Sequence, residues 1–275
     1  RKLADAPRTI HLKKASILQE EVLRKTMEGQ ELVYHLAAKT SVPESVAKPQ
    51  EYWRTNVEGT VHVLRAAADA HVRRVVFVSS AAVYGPSPEV PKVETMRPAP
   101  ASPYAVTKMV GEFACEEIHQ LAGIETVVLR LFNAYGPRQD PSSPYAGVIP
   151  KFCAASVKGR AIEIYGDGEQ TRDFLYVGDA AEALELAGEK PVAGRILNLG
   201  SGTPTTVNEV VRLLSEIADS TIRATRKPDR PGDVRDSLAD VSRARESLGF
   251  AARTSLRDGI ARTLQAIRGT PKTRR

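Results

Sequence analysis

A tyrosine and a lysine four residues apart, Tyr104 and Lys108, follow an apolar run that ends in two hydroxyls, Ser79 and Ser80. On a helix, residues four apart lie one turn above each other on the same face. The phenol and the ammonium then share one helix edge. A hydroxyl, a phenol and a cation in this order suit removal of a proton from an alcohol while a hydride leaves its carbon. Free tyrosine ionises near pH 10, so it is a poor base at neutral pH. A neighbouring ammonium favours the phenolate, and so does a cationic cofactor ring. Bringing the phenol to about 7 takes about 4 kcal/mol of differential stabilisation. A Tyr-x-x-x-Lys pair by itself is more often an ordinary exposed helix face. The serines at a strand end shift the balance, because α/β folds bind ligands there.

Those residues need a parallel sheet to position them, and apolar runs alternate with helical patterns along the chain as such a sheet requires. Strands are expected at 31–36, 74–79, 126–132 and 195–199, each short and rich in β-branched or other apolar residues. Helices are expected over 17–27, 51–70, 102–121, 146–158, 179–187, 206 onward, 241–248 and 255–267. Ser102-Pro103 starts the third helix with a capping hydroxyl and a first-turn proline. Thr206-x-x-Glu209 is a capping box, and Gly249 closes the helix before it. Three stretches break the alternation: a proline-rich loop from Pro86 to Pro103, the segment 136–150, and the segment 224–240.

The chain has 275 residues, 42% hydrophobic and 26% charged, enough for a compact core in one or two domains. Cys115 and Cys153 show no metal or disulfide spacing, which fits a reduced, cytoplasmic setting, and no metal site is expected. No apolar run of about 18 residues is present, so no membrane partner is expected. The net charge of +6 is spread among acidic residues, apart from a basic tail at Lys272, Arg274 and Arg275. With aromatics at only 5%, this pattern favours an anionic small molecule over nucleic acid.

Phe77-Val-Ser-Ser-Ala-Ala-Val-Tyr-Gly85 followed by Ser102-Pro-Tyr-Ala-Val-Thr-Lys108 resembles the extended short-chain dehydrogenase/reductase family. Within it, the chain is similar to nucleotide-sugar 4-epimerases of the UDP-glucose/UDP-N-acetylglucosamine type. His35-Leu-Ala-Ala38, Asn56-Val-Glu-Gly-Thr60, Leu131-Phe-Asn-Ala-Tyr-Gly-Pro137 and Gly166-Asp-Gly-Glu-Gln-Thr-Arg-Asp-Phe174 carry the likeness further. So do Arg230-Pro-Gly-Asp233 and Leu238-Ala-Asp240, and the blocks cover nearly the whole chain in the family's order.

The resemblance implies a doubly wound, Rossmann-type α/β fold over residues 1–135, with contributions from about 172–200, and a smaller nucleotide-sugar-binding region over 136–275. It implies NAD as cofactor and a UDP-sugar as substrate. Tyr104 would take the proton of the sugar 4-hydroxyl, Lys108 would hold the nicotinamide ribose and lower the phenol pKa, and Ser80 would hydrogen-bond the 4-oxygen. Leu36, Ala37, Ala38, Asn56 and Ser79 would line the cofactor side. Asn133, Ile149, Tyr165, Arg172, Arg230 and Asp233 would hold the nucleotide diphosphate. Guanidinium forks suit that task, since they bind phosphate oxygens bidentately. Ser237 would stand where a bulky side chain restricts the sugar's C2 substituent, so an N-acetyl group should be tolerated. A strand histidine such as His35 is expected to be a packed one, and Gly166-Asp-Gly168 and Gly200-Ser-Gly202 are expected to be turns.

Family dehydratases and decarboxylases carry an acidic residue just after the Ser80 position. Here Ala81 and Ala82 stand there, which favours oxidation at C4, rotation of the keto-sugar and reduction on its other face. The family also begins with a glycine-rich strand–turn–helix, whereas the first 58 residues here contain one glycine, Gly29. The expectation is a fragment of a longer gene product that begins roughly 60 residues late, binds NAD weakly as written and exposes sheet edges. A partner or an alternative start supplying the missing part, a catalytically silent binder of nucleotide sugars, and a dehydratase or 4-ketoreductase on the same scaffold stay open at this point. The helices around 57–70 and 106–122 resemble the pair that builds a homodimer interface in this family.

Overall fold

The computed structural model describes residues 10–143, 146–229 and 234–269. Its centre is a four-stranded parallel sheet in the order Leu32–His35, Arg74–Ser80, Glu125–Leu131, Arg195–Leu199. All four are the strands expected from sequence. The middle two are buried along nearly their whole length, the pattern of a sheet covered on both faces.

One face is covered by Glu20–Met27, Gly59–Asp69 and Pro103–Ala122. Together with Val75, Phe77 and Val128 they form one apolar core, containing Val63, Leu64, Ala67 and Cys115. Val177–Glu189 and Ser242–Leu248 cover the other face, where Val76, Leu129, Leu197 and Ala183 meet Leu248 and Phe250. A third core joins Val148–Val157, Val207–Ala218 and Leu256–Arg268 through Phe152, Leu214, Ile260 and Leu264.

The long helix Pro103–Ala122 is built as its sequence suggests. The Ser102 hydroxyl accepts from the Ala105 amide at 3.2 Å, Pro103 occupies the first turn, and Gly123 ends it in a left-handed conformation with φ 67°. Gly111 sets how closely this helix lies on the sheet. A Cβ there would come within 2.5 Å of the Phe77 ring, so any side chain would lift the helix from the strand it serves.

Several elements depart from the expected ones. The first helix starts at Glu20 rather than Ile17, because Ser16 and Gln19 hydrogen-bond the local backbone instead of continuing the helix. The helix expected over 51–70 runs as Pro49–Tyr52, a π-helical turn Trp53–Glu58, and Gly59–Asp69. A short helix, Val42–Ala47, was not foreseen, although Ser41 caps it by accepting from the Glu44 amide at 3.0 Å. The stretch 224–240, expected as loop, holds the strands Ala224–Lys227, paired with Ile162–Tyr165, and Asp236–Ser237, paired with Thr171–Asp173. Ala224–Lys227 is exposed at every residue, so it offers no apolar alternation to read.

The proline-rich loop is ordered and tied down. The Lys92 amide donates to Leu238 O at 2.7 Å, and Lys92 O accepts from the amides of Asp240 and the Asn198 side chain, both at 2.8 Å. The basic tail residues Lys272, Arg274 and Arg275 lie outside the described residues. Among the described residues no helix is long and apolar enough to cross a membrane, and no His/Cys/Asp/Glu cluster could hold a metal ion.

Candidate active site

Ser80 ends its strand and caps a one-turn 3-10 helix, Ala81–Tyr84, by accepting from the Ala82 amide at 3.2 Å. The same side chain stands close enough to Tyr104, on the first turn of Pro103–Ala122, to draw the phenol's pKa down. One turn further on, the Lys108 ammonium donates to Val78 O at 2.7 Å and lies 5.0 Å from the centre of the Phe77 ring. Serine, tyrosine and lysine thus meet where the strand end passes under the helix.

The electrostatics differ from the expectation in one respect. Burial pushes the Tyr104 phenol above its ordinary pKa, and the Ser80 hydrogen bond pulls the other way. The Lys108 ammonium is spent on a strand carbonyl rather than aimed at the phenol. Burial brings Lys108 itself down to about 8, against the opposing fields of Cys115 and Glu112. The reason is geometric: a lysine stem folded back on the strand satisfies its charge without water. His35 is the packed residue expected. It is 4% exposed, pairs through Nε2 with Thr60 Oγ1 at 2.9 Å, and burial lowers its pKa to about 3.

On the open side of the first strand, Leu36 and Ala37 are exposed and Ala38 is half-buried. The shape of this stretch is set by Asn56. Its Oδ1 accepts from the Lys39 amide at 2.8 Å, while Nδ2 donates to Lys39 O at 2.9 Å and to Thr107 Oγ1 at 3.0 Å. The π-helical turn carries Asn56 into this position, and such turns recur at functional sites. Asn56 therefore ties the small-residue loop to the helix bearing Tyr104 and Lys108. An accessible apolar rim beside a buried phenol and ammonium fits the nicotinamide half of NAD, whose ribose hydroxyls pair with an ammonium and whose ring lies on small side chains.

Asn133 stands just beyond Leu131, the register partner of Ser80, and so leaves the sheet beside the hydroxyl. Its Nδ2 donates to Asp173 O at 3.1 Å. From there a cavity of about 670 Å³ opens, lined by Asn133, Ile149, Tyr165 and Arg172 together. Four expected substrate residues are thus brought to one space. Ser80, Tyr104 and Lys108 do not line it. Ser237 pairs in register with Arg172, which places it on the neighbouring strand. Arg230 and Asp233 lie outside the described residues.

Asp173, next to Arg172 on its strand, is a fully buried carboxylate. It accepts from the Ser201 amide and hydroxyl at 2.5 and 2.7 Å, from the Gly202 amide at 3.0 Å and from the Ala239 amide at 3.1 Å. Gly166 and Gly168 form a turn with φ near 72° and 74°, and Asp167 within it takes a two-pronged ion pair from Arg235. Gly166-Asp-Gly168 is the turn expected, whereas Gly200-Ser-Gly202 is a bend, with Gly202 at φ 72°. Glu163, Gln170 and Phe152 also line the cavity and were not foreseen from sequence. Alternation along 162–165 would have shown Glu163 and Tyr165 on one face.

The match to known proteins agrees with this geometry. Residues 1–200 match the family described as "NAD dependent epimerase/dehydratase family". A UDP-glucose 4-epimerase from Mycolicibacterium smegmatis is 39% identical over 239 residues, covering 86% of this chain and 76% of that protein. The structure of UDP-glucose 4-epimerase from Thermotoga maritima with UDP-glucose superposes with a TM-score of 0.91 at 36% identity, covering 97% of this chain and 87% of that one. A dTDP-glucose 4,6-dehydratase from Streptomyces niveus is 32% identical over 257 residues, covering 93% of this chain and 75% of that protein. With its Rossmann-type sheet and the Tyr104–Lys108 pair at the strand ends, the chain belongs to the NAD-dependent epimerase/dehydratase family of nucleotide-sugar enzymes.

Proposed function

We propose that the chain interconverts the C4 epimers of a UDP-linked hexose. The observation that carries this is Ser80 and Tyr104 side by side next to buried Lys108, with Ala81 and Ala82 where a second acid would stand. Leu36–Ala38 and Lys108 would hold NAD, which would supply the hydride chemistry at C4. The chain's own residues move the proton. Tyr104, once ionised, takes the proton of the sugar 4-hydroxyl while Ser80 holds the 4-oxygen. The keto-sugar then turns about its diphosphate, anchored in the cavity by Arg172 and Asn133. Tyr104 returns the proton on the opposite face. With neither a carboxylate nor another titratable group at 81 and 82, nothing stands there to drive elimination of water from C5 and C6.

At saturating NAD, incubation with UDP-glucose should yield UDP-galactose and no 4-keto-6-deoxy sugar, read by NMR of the products. A 4-keto-6-deoxy product overturns this reading in favour of a dehydratase. Ser237 supports a second element of it, tolerance of an N-acetyl group at C2. UDP-N-acetylglucosamine should be turned over at a rate comparable to UDP-glucose, and Ser237→Tyr should abolish only the former. Strong preference of the unaltered chain for the plain sugar counts against this.

The same reading takes residues 1–135, with about 172–200, as the cofactor-binding part and 136–275 as the substrate-binding part. It takes the active species as a homodimer built on the helices around 57–70 and 106–122. Phe113 and Leu121 support this by standing 57% and 78% exposed on the second of these helices. Phe113→Asp should convert a dimer to a monomer in light scattering; a mass unchanged from a monomeric parent would remove the idea.

A further inference from the structure

The turn that follows Ser80 is fastened from beneath by a phenol hydroxyl. Tyr84 closes the 3-10 turn Ala81–Tyr84 that Ser80 caps, and it is 1% exposed. Its hydroxyl donates to Asn198 Oδ1 at 2.7 Å. The Arg130 guanidinium lies 4.8 Å from the centre of the same ring, and Phe132 packs against it with ring centres 6.2 Å apart. Ser79, Arg130 and Asn198 are register partners on three adjacent strands. Arg130 is itself held by Glu112, with Nη2 donating to Oε2 at 2.7 Å, while Ser79 Oγ donates to Oε1 of the same carboxylate at 2.5 Å. Ring and hydroxyl of Tyr84 thus rest on one row of fixed side chains, next to the level of Ser80.

Asn198 also receives the other arm of the site. Its main-chain amide donates to Glu94 Oε1 at 2.8 Å, and its Nδ2 donates to Lys92 O at 2.8 Å and to Asp240 O at 3.3 Å. Lys92 and Glu94 belong to the proline-rich loop that leads from Gly85 to the helix of Tyr104. That loop is tied to the serine turn itself, where the Ala99 amide donates to Val83 O at 2.9 Å. The fully buried Asn198 is therefore a common reference for the turn after Ser80 and for the loop ahead of Tyr104. Packing alone does not call for the Tyr84 hydroxyl, since phenylalanine would fill the same space against Arg130 and Phe132. What the hydroxyl adds is direction, because a hydrogen bond weakens as it bends whereas apolar burial is non-directional. We propose, on the reading of the reaction given above, that Tyr84 is a positioning residue: its bond to Asn198 fixes the turn so that the Ser80 hydroxyl faces the Tyr104 phenol. Tyr84 does not line the cavity of Arg172 and Ile149, so it acts on the serine and not on the nucleotide.

Tyr84→Phe removes one oxygen and keeps the ring. With UDP-glucose at saturating NAD, kcat should fall by about 10- to 100-fold, the cost of a small misplacement of a reacting group. KM and the affinity for UDP should stay at their parental values. In the ligand-free variant the Ala82 amide, which donates to Ser80 Oγ, should exchange with solvent about tenfold faster, with the mid-sheet amides of Val76 and Leu129 unchanged. A folded variant with parental kcat overturns the inference, however early it melts, since a hydroxyl that serves only stability would give that. So does a reduced kcat with exchange at Ala82 unchanged. Equal acceleration at Ala82, Val76 and Leu129 overturns it too, because the whole sheet has then loosened rather than the turn. If the variant does not fold, the unaltered chain decides: NMR must show a slowly exchanging Tyr84 hydroxyl proton, and one that exchanges like a free phenol's overturns the proposal. In a parent that turns over no UDP-sugar the proposed function falls, and exchange at Ala82 alone then tells whether Tyr84 holds the turn.

Discussion

Tyr104→Phe should lower kcat for C4 epimerisation by about 10²- to 10⁴-fold, the range contributed by a positioned general acid–base. The expectation follows from the site's economy. Tyr104 is the phenol beside Ser80 at the strand end, and its neighbours within the site are a hydroxyl and an ammonium that is already committed to Val78 O. Among the described residues placed at the strand end, no second base stands by to take over. Phenylalanine keeps the ring and its edge-on contact with Tyr52, whose centroid lies 6.4 Å away, so the fold should persist. KM should change little, because the diphosphate is held in the cavity lined by Arg172 rather than at the phenol. Steady-state rates with UDP-glucose at saturating NAD, alongside circular dichroism, check both halves. A variant with parental kcat would end the assignment of Tyr104 as the base.

The pH dependence should carry the same signature. Burial holds the phenol up, so the ligand-free site is protonated at neutral pH, and the rate should rise with pH as the phenolate becomes accessible. Burial brings the Lys108 ammonium down to about 8, below the phenol, so the form with phenolate beside ammonium is a minor one and the rate should peak between the two titrations. In Tyr104→Phe this maximum should be lost together with the rate.

Much of this was legible in the sequence because the chemistry sits where periodic elements end. Each of the four sheet strands is a dense apolar run, and a run buried on both faces announces itself without a partner. The helix of Tyr104 carried its own cap in Ser102 and Pro103, so the face shared by phenol and ammonium could be placed before any contact was known. What stayed hidden depends on contacts between distant segments. The π-helical turn at Trp53–Glu58 reads as ordinary helix, and only the bonds from Asn56 to Lys39 and Thr107 explain it. Val42–Ala47 had a cap signal, Ser41 followed by Glu44, that its shortness obscured. Glu112 was in plain sight, one turn past Lys108, yet its bonds to Arg130 and Ser79 depend on strand pairing. The direction of the Tyr104 shift was missed for a related reason: spacing puts the ammonium on the phenol's face but says nothing of the Val78 carbonyl that captures it.

Arg172→Ala should weaken binding of UDP by about 10- to 150-fold, the loss of a charge-assisted hydrogen bond worth about 1.5–3 kcal/mol. Its guanidinium is set up for an anion before one arrives. Nη1 donates to Thr171 O at 2.8 Å and to Arg235 O at 3.2 Å, which orients the fork along the cavity wall, and Asp173 fixes the strand from behind. Preorganisation of this kind lowers the entropy lost on binding, so the loss should appear mainly in the off-rate. UDP alone is the right probe, because its affinity reports on the cavity without hydride chemistry or NAD. Arg172→Lys should recover only part of the affinity, since an ammonium keeps the charge but cannot bind two phosphate oxygens in one plane. Isothermal titration of the three proteins separates these outcomes. Equal affinities for UDP would show that the diphosphate does not rest on Arg172. The cavity between Tyr165 and Ile149 would then lose its claim to the nucleotide, while the prediction for Tyr104 would stand on its own geometry.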